Sequence, residues 1–583
     1  MSRADASLAC ATALVDALVR GGVRRACVSP GSRSTPLALA LGRDERLQVQ
    51  VFLEERSAAF FALGVAKAGG TPVALACTSG TAAAEFFPAI VEASQSRTPV
   101  VVLTADRPPR LRGTGANQTI DQTELYGRYA RAYLEPPVPM TNDDAAAWSD
   151  TGARAVEAAY GDPAGPVHVN CAFDEPLTPT GRSIPAPAVG AVASPTREPD
   201  TGAARAAVGR FVETYAGRRG MCTIGGLPAP ETLSLLSFSS MLGWPVHAEP
   251  LSGLRLDASD AGRALAAGQF LLSDADWLDR HAPEVVLQIG AAPTTRTSQR
   301  LSASASSLVV LDRGHLDPDP EGRAEHRMRV EPELFAAIAY DDRGSTPVPA
   351  CDPDWSETWR TSDLVARAQV DRLLDGWEEP FEGRVARDLA AFVPHGAALV
   401  IGNSTPVRDL DSFMAPRRPP RIWAAADLLR VIGNRGASGI DGLVATTLGV
   451  AAAHHGPTYA LLGDLSFLYD AGTLLWSSRM GVDAVFVVLA NGGGQIFSML
   501  DQGSVPELEQ LFTTPHPAAI EDVCAAANVG HSLVGRSSEL HPALERAARA
   551  GGVHVVEVSI DAERDRERRA ELHAEIHAAL RPR

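Results

Sequence analysis

Two short polar loops in the C-terminal third of the chain carry residues suited to binding a metal ion. The first is Gly463-Asp464-Leu465-Ser466, and the second, Asn491-Gly492-Gly493-Gly494, begins 27 residues after Asp464. Asp464 and Asn491 offer hard oxygen ligands, and the flexible glycines allow a backbone carbonyl to turn inward as a third. Three protein oxygens leave room for diphosphate oxygens and a water around an octahedral Mg²⁺. The alternative is two ordinary turns rich in Gly, Asp and Asn.

Each loop follows an apolar run that is typical of a strand. The runs cover residues 458–462 and 483–490, and residues 467–480 between them are predicted to form a helix. A strand–loop–helix–strand unit of this length needs parallel strands, whose carboxyl ends meet at one edge of the sheet. We therefore expect Asp464 and Asn491 to lie side by side.

Two proline-rich stretches divide the chain. Residues 177–200 and 341–354 lack apolar periodicity and are interpreted as extended linkers. They separate three predicted domains, at 1–180, 200–345 and 356–583. Strands alternate with helices in each, which predicts an α/β protein of three doubly wound parallel-sheet domains, and the two outer domains could share a fold.

Short strands are predicted in all three domains, and helices in the first and third. Strands are expected at 24–28, 47–53, 73–77, 100–104, 221–224, 285–289, 398–401, 422–424, 458–462 and 484–489. Helices are expected at 55–67, from Thr81 to about Ser94, and at 440–454. The charged, Ala-rich segment 563–580 is predicted to be a helix that forms a solvated cap.

Composition excludes several classes of function. With 53 basic and 70 acidic residues the net charge is −17, which disfavours nucleic acid and anionic lipid as partners. No apolar run reaches the roughly 18 residues of a membrane span, and the N-terminus lacks a signal-peptide pattern. Seven cysteines without CxxC spacing favour reduced thiols and a cytoplasmic location.

The two polar loops resemble the Gly-Asp-x…Asn motif of the thiamine-diphosphate enzymes. The resemblance implies thiamine diphosphate as cofactor, held through Mg²⁺, for which Mn²⁺ can substitute. It assigns the metal ligands to Asp464, Asn491 and the carbonyl of Gly493. The further cofactor contacts that it implies are Thr78 and Ser79 on the pyrimidine side, Gly463, Leu465 and Ser466 at the diphosphate, and the apolar Ile440 and Ile496.

That superfamily requires an acid that protonates ring nitrogen N1′ of the cofactor. The acid must lie in a dry pocket with a raised pKa. Glu55 opens an apolar helix directly after a strand, where the family's glutamate lies, so the resemblance assigns the role to Glu55. The neighbouring Glu54 is interpreted as a structural acid at the start of that helix.

Seven motifs in order resemble one branch, the family of 2-succinyl-5-enolpyruvyl-6-hydroxy-3-cyclohexene-1-carboxylate synthases of menaquinone biosynthesis. Besides the Gly-Asp-x…Asn motif, formed by the two polar loops together, and Ile496-Phe497, they are Ser32-Arg33-Ser34-Thr35-Pro36, Ala105-Asp106-Arg107-Pro108-Pro109, Gly115-Ala116-Asn117-Gln118-Thr119-Ile120, Gly402-Asn403-Ser404 with Arg408, and the Gly433–Gly442 segment. Leu465, where most of the superfamily has Gly, agrees with this branch. The implied reaction is decarboxylation of 2-oxoglutarate and 1,4-addition of the succinyl carbanion to isochorismate.

Both implied substrates carry two carboxylates, so guanidinium forks are expected in the site. The motifs assign catalytic roles, besides Glu55, to Ser32, Arg33, Gln118, Arg408 and Arg435. They assign substrate binding to Arg107, Asn117, Ser404 and Phe497, and a weaker alignment adds Arg296 from the middle domain. The alternative for any single arginine is a solvated ion-pair partner.

The resemblance also implies self-association. In the superfamily the activating glutamate and the metal loops belong to different subunits, which predicts a homodimer or a dimer of dimers. Two alternatives remain open. One is an acetohydroxyacid-synthase-like or other 2-oxoacid decarboxylase; the other is a nucleotide-binding or regulatory α/β protein, suggested by Gly225-Gly226, although that pair lacks GxGxxG spacing.

Overall fold

Three parallel β-sheets flanked by helices organise the chain. The computed structural model describes residues 2–180, 200–227, 233–258, 262–312, 318–341, 348–419 and 427–581. Within these ranges each large sheet is wholly parallel, which confirms the predicted α/β class. No helix in the described ranges is long and apolar enough to cross a membrane.

The first sheet has six strands in the order β2-β1-β3-β4-β6-β5. Its strands are β1 (Arg25–Val28), β2 (Gln48–Val51), β3 (Val73–Cys77), β4 (Val100–Asp106), β5 (Tyr133–Leu134) and β6 (Pro166–Ala172). Its helices are α1 (Arg3–Arg20), α2 (Thr35–Arg43), α3 (Glu55–Gly69), α4 (Thr81–Glu85), α5 (Phe87–Gln95) and α6 (Ala145–Ala159). The single helix predicted from Thr81 to Ser94 is thus two helices.

The middle sheet has five parallel strands in the order β13-β12-β11-β7-β8. They are β7 (Gly220–Ile224), β8 (Val246–Ala248), β11 (Val285–Ile289), β12 (Ser307–Leu311) and β13 (His326–Met328), while β9 (Asp257–Ala258) and β10 (Gly262–Arg263) form a small antiparallel pair. The helices are α7 (Thr201–Tyr215), α8 (Ser234–Leu242), α9 (Gly268–Ser273), α10 (Ala275–His281), α11 (Arg296–Ser304) and α12 (Pro332–Asp341). Gly225 packs a turn: a Cβ there would lie 2.1 Å from the Ala291 carbonyl oxygen.

The third sheet has six strands in the order β15-β14-β16-β17-β19-β18. They are β14 (Ala398–Ile401), β15 (Arg430–Gly433), β16 (Thr458–Gly463), β17 (Ala484–Ala490), β18 (Gly530–Val534) and β19 (Val553–Ser559). The helices are α13 (Pro353–Gly376), α14 (Glu382–Phe392), α15 (Thr405–Phe413), α16 (Leu443–Ala453), α17 (Asp464–Tyr469), α18 (Ile520–Ala526), α19 (Leu540–Ala550) and α20 (Ala562–Ala579).

The two outer sheets repeat one topology. Counted from its own first strand, each has the order 2-1-3-4-6-5, so the expectation of a shared fold is confirmed. In such sheets ligands bind at the carboxyl ends of the strands, where the strand order reverses. In the third sheet that point lies between β14 and β16, next to the loops that carry Asn403 and Asp464.

The outer domains pack on each other through α3 and α16. A Cβ on Gly64 would lie 2.1 Å from the Thr446 carbonyl oxygen, and one on Gly449 would lie 2.1 Å from that of Phe61. The two helices therefore approach closely because both lack side chains at the crossing. One apolar cluster joins residues of the first and third sheets across this contact.

Three expectations about elements need correction. The helix predicted at 467–480 begins at Asp464, ends at Tyr469 and continues as a 3₁₀ helix, Ala471–Arg479. The helix predicted at 440–454 begins at Leu443. The C-terminal helix α20 is mostly exposed, as predicted, but it is not solvated on all sides, because Asp565, Leu572 and Ile576 are buried. The predicted strand 422–424 lies outside the described residues, and β15 was not predicted.

Candidate active site

The Asp464 carboxylate lies at the centre of the candidate metal site. It is buried at the first residue of α17 and accepts hydrogen bonds from the backbone N–H groups of Leu465 (2.6 Å), Gly492 and Gly493 (2.9 Å each). Burial raises the pKa of the Asp464 carboxyl, and the backbone donors oppose that shift. The predicted adjacency of the two loops is confirmed by these bonds.

Asn491 is held by a second acid. Its side-chain N–H donates to Oε1 of Glu382 at 2.6 Å, while its Oδ1 accepts from the N–H of Gly493 at 3.3 Å. Gly493 has φ +125°, and a Cβ there would lie 2.1 Å from the Thr513 carbonyl oxygen. Any side chain would therefore displace the loop that carries the predicted third ligand.

The donor set fits a hard divalent cation. It offers a carboxylate, an amide oxygen and a backbone carbonyl, which are ligands that Mg²⁺ and Mn²⁺ accept. Among the described residues no Lys or Arg forms an ion pair with Asp464, and no cluster of three His, Cys, Asp or Glu side chains suggests a different metal. His516, which sequence reasoning missed, lies 3.3 Å from Asp464 through its Nε2.

The two neighbouring glutamates of the first sheet have different surroundings. Glu54 is the N-cap of α3, where its carboxylate accepts from the N–H groups of Arg56 (3.1 Å) and Ser57 (2.9 Å), as its structural interpretation requires. Glu55 is half-buried at the first helical position. Desolvation raises the pKa of Glu55, with smaller contributions from Glu54 and Glu85.

The polar residues predicted in the first domain gather at the carboxyl ends of β1, β3 and β4. A Cβ on Gly31 would lie 2.2 Å from Cβ of Thr78, so the loop that carries Ser32 and Arg33 packs directly on the loop after β3. Ser32 is exposed and Arg33 is buried. Arg33 donates to the Phe173 carbonyl oxygen at 3.0 Å and to Oε1 of Glu175 at 3.3 Å, and among the described residues its Nε has no hydrogen-bond partner.

Arg107 joins this group from the end of β4. Its guanidinium donates to Oγ of Ser79 and to the carbonyl oxygen of Gln118 at 2.8 Å. Gln118 donates back to the carbonyl oxygen of Ser79 at 2.9 Å and has φ +54°. Burial, then the nearby Arg33, lowers the pKa of Arg107. Two cations held this close favour an anionic ligand, and the exposed Asn117 lies beside them in sequence.

A second cationic group lies at the carboxyl ends of β14 and β15. Arg435 donates to Oδ1 of Asn403 at 2.7 Å, and Arg408 donates to the Ser404 carbonyl oxygen at 2.6 Å. Ser404 has φ +72°. Burial lowers the pKa of Arg408, and Arg435 and Arg296 lower it further. The structure therefore places Arg296, at the start of α11, near the two predicted arginines.

Glu249 of the middle domain faces the same arginines and was not predicted. It is buried, and its carboxylate accepts from the N–H (2.6 Å) and hydroxyl (2.9 Å) of Thr294. Burial and the nearby Asp411 raise the pKa of Glu249 to about 7. Its charge in turn raises the pKa of Arg435 against the effect of burial.

The loop 434–441 is fixed by the first domain of the same chain. The buried Glu92 accepts from the N–H groups of Gly436 (3.0 Å) and Ala437 (2.6 Å) and from Nζ of Lys67 (2.8 Å). Lys67 also donates to the Gly433 carbonyl oxygen at 2.8 Å. These contacts, which sequence reasoning missed, fix the backbone on the C-terminal side of Arg435.

The predicted apolar contacts lie at the surface of this chain. Ile440 precedes α16 and is 39% exposed, and a contact to a bound group is compatible with its position. Ile496 and Phe497 are half-buried in the 3₁₀ helix after the glycine run. The ring of Phe497 lies 5.6 Å from that of Phe512.

The predicted residues form two groups within one chain. One group lies near the carboxyl ends of the strands of the first sheet and contains Glu55, Arg33, Arg107 and Gln118. The other lies near the carboxyl ends of the strands of the third sheet and contains Asp464, Asn491, Arg408 and Arg435. No hydrogen bond or ion pair between described residues joins Glu55 to the metal loops. The missed residues Glu92, Glu249, Glu382 and His516 act through contacts distant in sequence, and no local motif marks them.

Comparison with known proteins gives concordant matches at both ends of the chain. Residues 8–125 match the N-terminal TPP binding domain of thiamine pyrophosphate enzymes, and residues 420–558 match the C-terminal TPP binding domain. The cofactor expected from the polar loops, thiamine diphosphate, is therefore confirmed.

Curated relatives narrow the family further. Proteins named 2-succinyl-5-enolpyruvyl-6-hydroxy-3-cyclohexene-1-carboxylate synthase are 38% identical in Geobacillus kaustophilus, over 95% of both chains, and 40% identical in Thermobifida fusca, over 95% of this chain and 96% of the relative. An archaeal relative of the same name, from Haloarcula marismortui, is 37% identical over 95% of both chains. With identity of this level along almost the whole length, the chain belongs to the 2-succinyl-5-enolpyruvyl-6-hydroxy-3-cyclohexene-1-carboxylate synthase family of thiamine-diphosphate enzymes.

Proposed function

We propose that the protein decarboxylates 2-oxoglutarate and adds the succinyl unit to isochorismate, giving 2-succinyl-5-enolpyruvyl-6-hydroxy-3-cyclohexene-1-carboxylate and CO₂. The main support for this function is the sequence identity, over almost the full length, to synthases of that name. The charge of the site supports it, because two separate arginine groups suit two dicarboxylate substrates.

The proposed cofactor site uses the loops of the third sheet. Asp464, Asn491 and the carbonyl of Gly493 would bind Mg²⁺ or Mn²⁺, and Gly463, Leu465 and Ser466 would contact the diphosphate. When bound, thiamine diphosphate supplies the carbon nucleophile that attacks a 2-oxo acid and accepts the electron pair left by CO₂. Ile440 and Ile496 would contact the cofactor rings, and Phe497 would exclude water from the substrate beside them.

Glu55 is the proposed activating acid. Its raised pKa supports a carboxyl group that shares a proton with ring nitrogen N1′ of the aminopyrimidine. Thr78 and Ser79 would line the same ring, because they lie at the carboxyl end of the strand next to β1. Glu54 is committed to the helix cap and is therefore not available for this role.

The arginines and their polar neighbours would bind the substrates. We assign Ser32, Arg33, Arg107, Asn117 and Gln118 to one face of the site, and Arg296, Ser404, Arg408 and Arg435 to the other. Burial supports the assignment, because a partly desolvated guanidinium binds a carboxylate more strongly than a surface one.

The complete site would form between two copies of the chain. Within one subunit no hydrogen bond or ion pair between described residues joins Glu55 to the metal loops, and exposed apolar side chains lie beside both. Val51 and Leu53 precede Glu55, and Tyr469 and Leu475 follow Asp464, each more than half exposed. Such surface is expected to be covered by a partner, and we propose a homodimer or a dimer of dimers.

Two further features belong to the same proposal. The domains would span residues 1–180, 200–345 and 356–583, supported by one parallel sheet in each, with α13 crossing the last boundary to pack on the middle core. A cytoplasmic location is supported by seven buried cysteines that are all free.

The test is a product assay by mass spectrometry. The purified protein is incubated with 2-oxoglutarate, isochorismate, thiamine diphosphate and Mg²⁺, and in parallel with pyruvate as the only substrate. We expect the named product only in the first reaction and only with cofactor present. Efficient conversion of pyruvate without the first product would instead identify an acetohydroxyacid-synthase-like enzyme.

A further inference from the structure

Asn491 has a partner on its outer side that the proposed chemistry does not use. An asparagine amide can present either its oxygen or its NH₂ group to a ligand, because the two ends have similar shape. Only the oxygen can bind a cation. A neighbouring residue must therefore fix which end of the Asn491 amide faces the proposed cation site beside Asp464.

Glu382 occupies the position that makes this choice. It is 2% exposed, and its Oε1 accepts the Asn491 Nδ2–H at 2.6 Å. A carboxylate oxygen accepts but does not donate, so the NH₂ end of Asn491 must point toward it. Asn491 Oδ1 then lies on the opposite side, where it accepts from the N–H of Gly493.

The other oxygen of Glu382 is fixed by the C-terminal helix. Oε2 accepts from Arg569 at 3.0 Å, and the same guanidinium binds Asp409 at 2.5 and 2.7 Å and Asp565 at 2.7 Å. The backbone N–H of Glu382 donates to Asp565 at 3.0 Å. Since Oε2 faces this cluster, Oε1 is left as the acceptor for Asn491.

A second contact leads from the same helix to the same loop. Arg566 lies 3.4 Å from Oε1 of Gln495, and the Gln495 amide donates to the Asn491 carbonyl oxygen at 3.2 Å. Helix α20 is therefore linked through Glu382 to the side chain of Asn491 and through Gln495 to its backbone. The face of this helix that packs on the protein, where Asp565, Leu572 and Ile576 are buried, therefore has a role in the site.

We propose that Glu382, anchored by Arg569 of the C-terminal helix, is a positioning residue that orients the Asn491 amide so that its oxygen faces the metal. This inference rests on the proposed function, because it assumes Asn491 as a metal ligand. Outer-shell partners of this kind typically contribute about 10- to 100-fold to metal affinity.

The test measures Mn²⁺ binding by electron paramagnetic resonance in the full-length protein with saturating thiamine diphosphate. Glu382→Met removes the acceptor at similar volume, and we expect a Mn²⁺ Kd about 10- to 100-fold higher than in the wild type. Glu379→Gln is the matched control. Glu379 binds Arg564 and Arg568 on the outer face of the same helix and does not contact Asn491, so its variant should bind Mn²⁺ normally.

Exchanging the charged and the neutral side chain at the contact between Asn491 and Glu382 separates an effect on the orientation of residue 491 from an effect on the stability of the protein. Asn491→Asp places two carboxyl groups at the 2.6 Å contact, and the repulsion should weaken Mn²⁺ binding. Adding Glu382→Gln supplies an N–H donor to the new carboxylate, so the double variant should regain at least tenfold of the lost affinity, an effect of the size expected for an outer-shell contact. A merely structural role of Glu382 predicts no such rescue.

The outcomes distinguish this inference from the proposed function. The metal site is supported if the wild type binds Mn²⁺ and Asp464→Ala does not. With that result, the positioning role of Glu382 is overturned if Glu382→Met binds Mn²⁺ like the wild type, or if the double variant shows no rescue. If Asp464→Ala binds Mn²⁺ as tightly as the wild type, the proposed metal site itself is wrong.

Discussion

The carboxylate of Glu92 accepts a hydrogen bond from the N–H of Ala437, 345 residues further along the chain, at 2.6 Å. This bond ties the first domain to the loop that presents Arg435. Lys67 neutralises Glu92 in the same buried position, 2.8 Å away. The orientation of a proposed substrate-binding arginine therefore depends on a helix of a different domain.

Replacing Glu92 with Gln should impair substrate binding more than the chemical step. The variant loses one backbone acceptor and leaves the Lys67 ammonium buried without its partner, which costs about 3–5 kcal/mol in comparable sites. We expect a KM for the substrates about tenfold higher, equivalent to about 1.4 kcal/mol, and a lower melting temperature.

A second variant separates those two effects. Lys67→Met combined with Glu92→Gln removes both charges, so it should restore much of the melting temperature while the KM stays high. If the double variant recovers the wild-type KM as well, Glu92 acts only on stability and the loop does not need its acceptor.

Glu55→Gln and Glu54→Ala form a matched pair one residue apart. Glu55→Gln should retain thiamine diphosphate, measured by calorimetry, but lower the turnover of 2-oxoglutarate at least about 100-fold, because an amide is a poor proton donor. Glu54→Ala should instead lower the free energy of unfolding by about 1 kcal/mol through loss of the cap, with near-normal turnover. The opposite pattern would transfer the activating role to Glu54.

His168 should contribute to acid sensitivity. It is buried between Tyr126 and Tyr133, with its Nε2 2.8 Å from the Thr104 hydroxyl, and burial lowers its pKa from 6.5 to about 3. The unfolded chain thus binds a proton below pH 6.5 that the folded chain does not accept until about pH 3. Stability attributable to neutral His168 is therefore present above pH 6.5 and is lost as the pH falls through this window.

Unfolding of the wild type and His168→Gln, followed by urea titration across that pH range, checks the effect. The variant should show a shallower dependence, by at most about 1.4 kcal/mol per pH unit. Parallel curves for the two proteins would mean that His168 does not titrate between the folded and unfolded states.

The local pattern of apolar residues was sufficient to predict the part of the site that lies at the ends of strands. The apolar runs before Asp464 and Asn491 predicted parallel strands, and parallel pairing of β16 with β17 brings the two loops together. Likewise, the strand before Ser32 and the strand before Thr78 pair as β1 and β3, which places their loops in contact.

The parts that were missed depend on contacts distant in sequence. Glu382, Glu92 and Glu249 are buried acids whose partners lie 109, 345 and 45 residues away, so no local spacing marks them. The packed face of helix α20 was missed for a related reason. Its charges correctly suggested solvent for most of the helix, but Arg569 forms ion pairs with three buried acids, and these partners are not revealed by local composition.

We propose that each active site combines Glu55 of one subunit with the Asp464 loop of another. Glu55→Gln and Asp464→Ala chains, co-expressed with different affinity tags and purified through both, give heterodimers with one unaltered site and one doubly altered site. We expect each variant alone to be nearly inactive and the heterodimer to have about half the wild-type activity. A heterodimer as inactive as its parents would contradict this proposal.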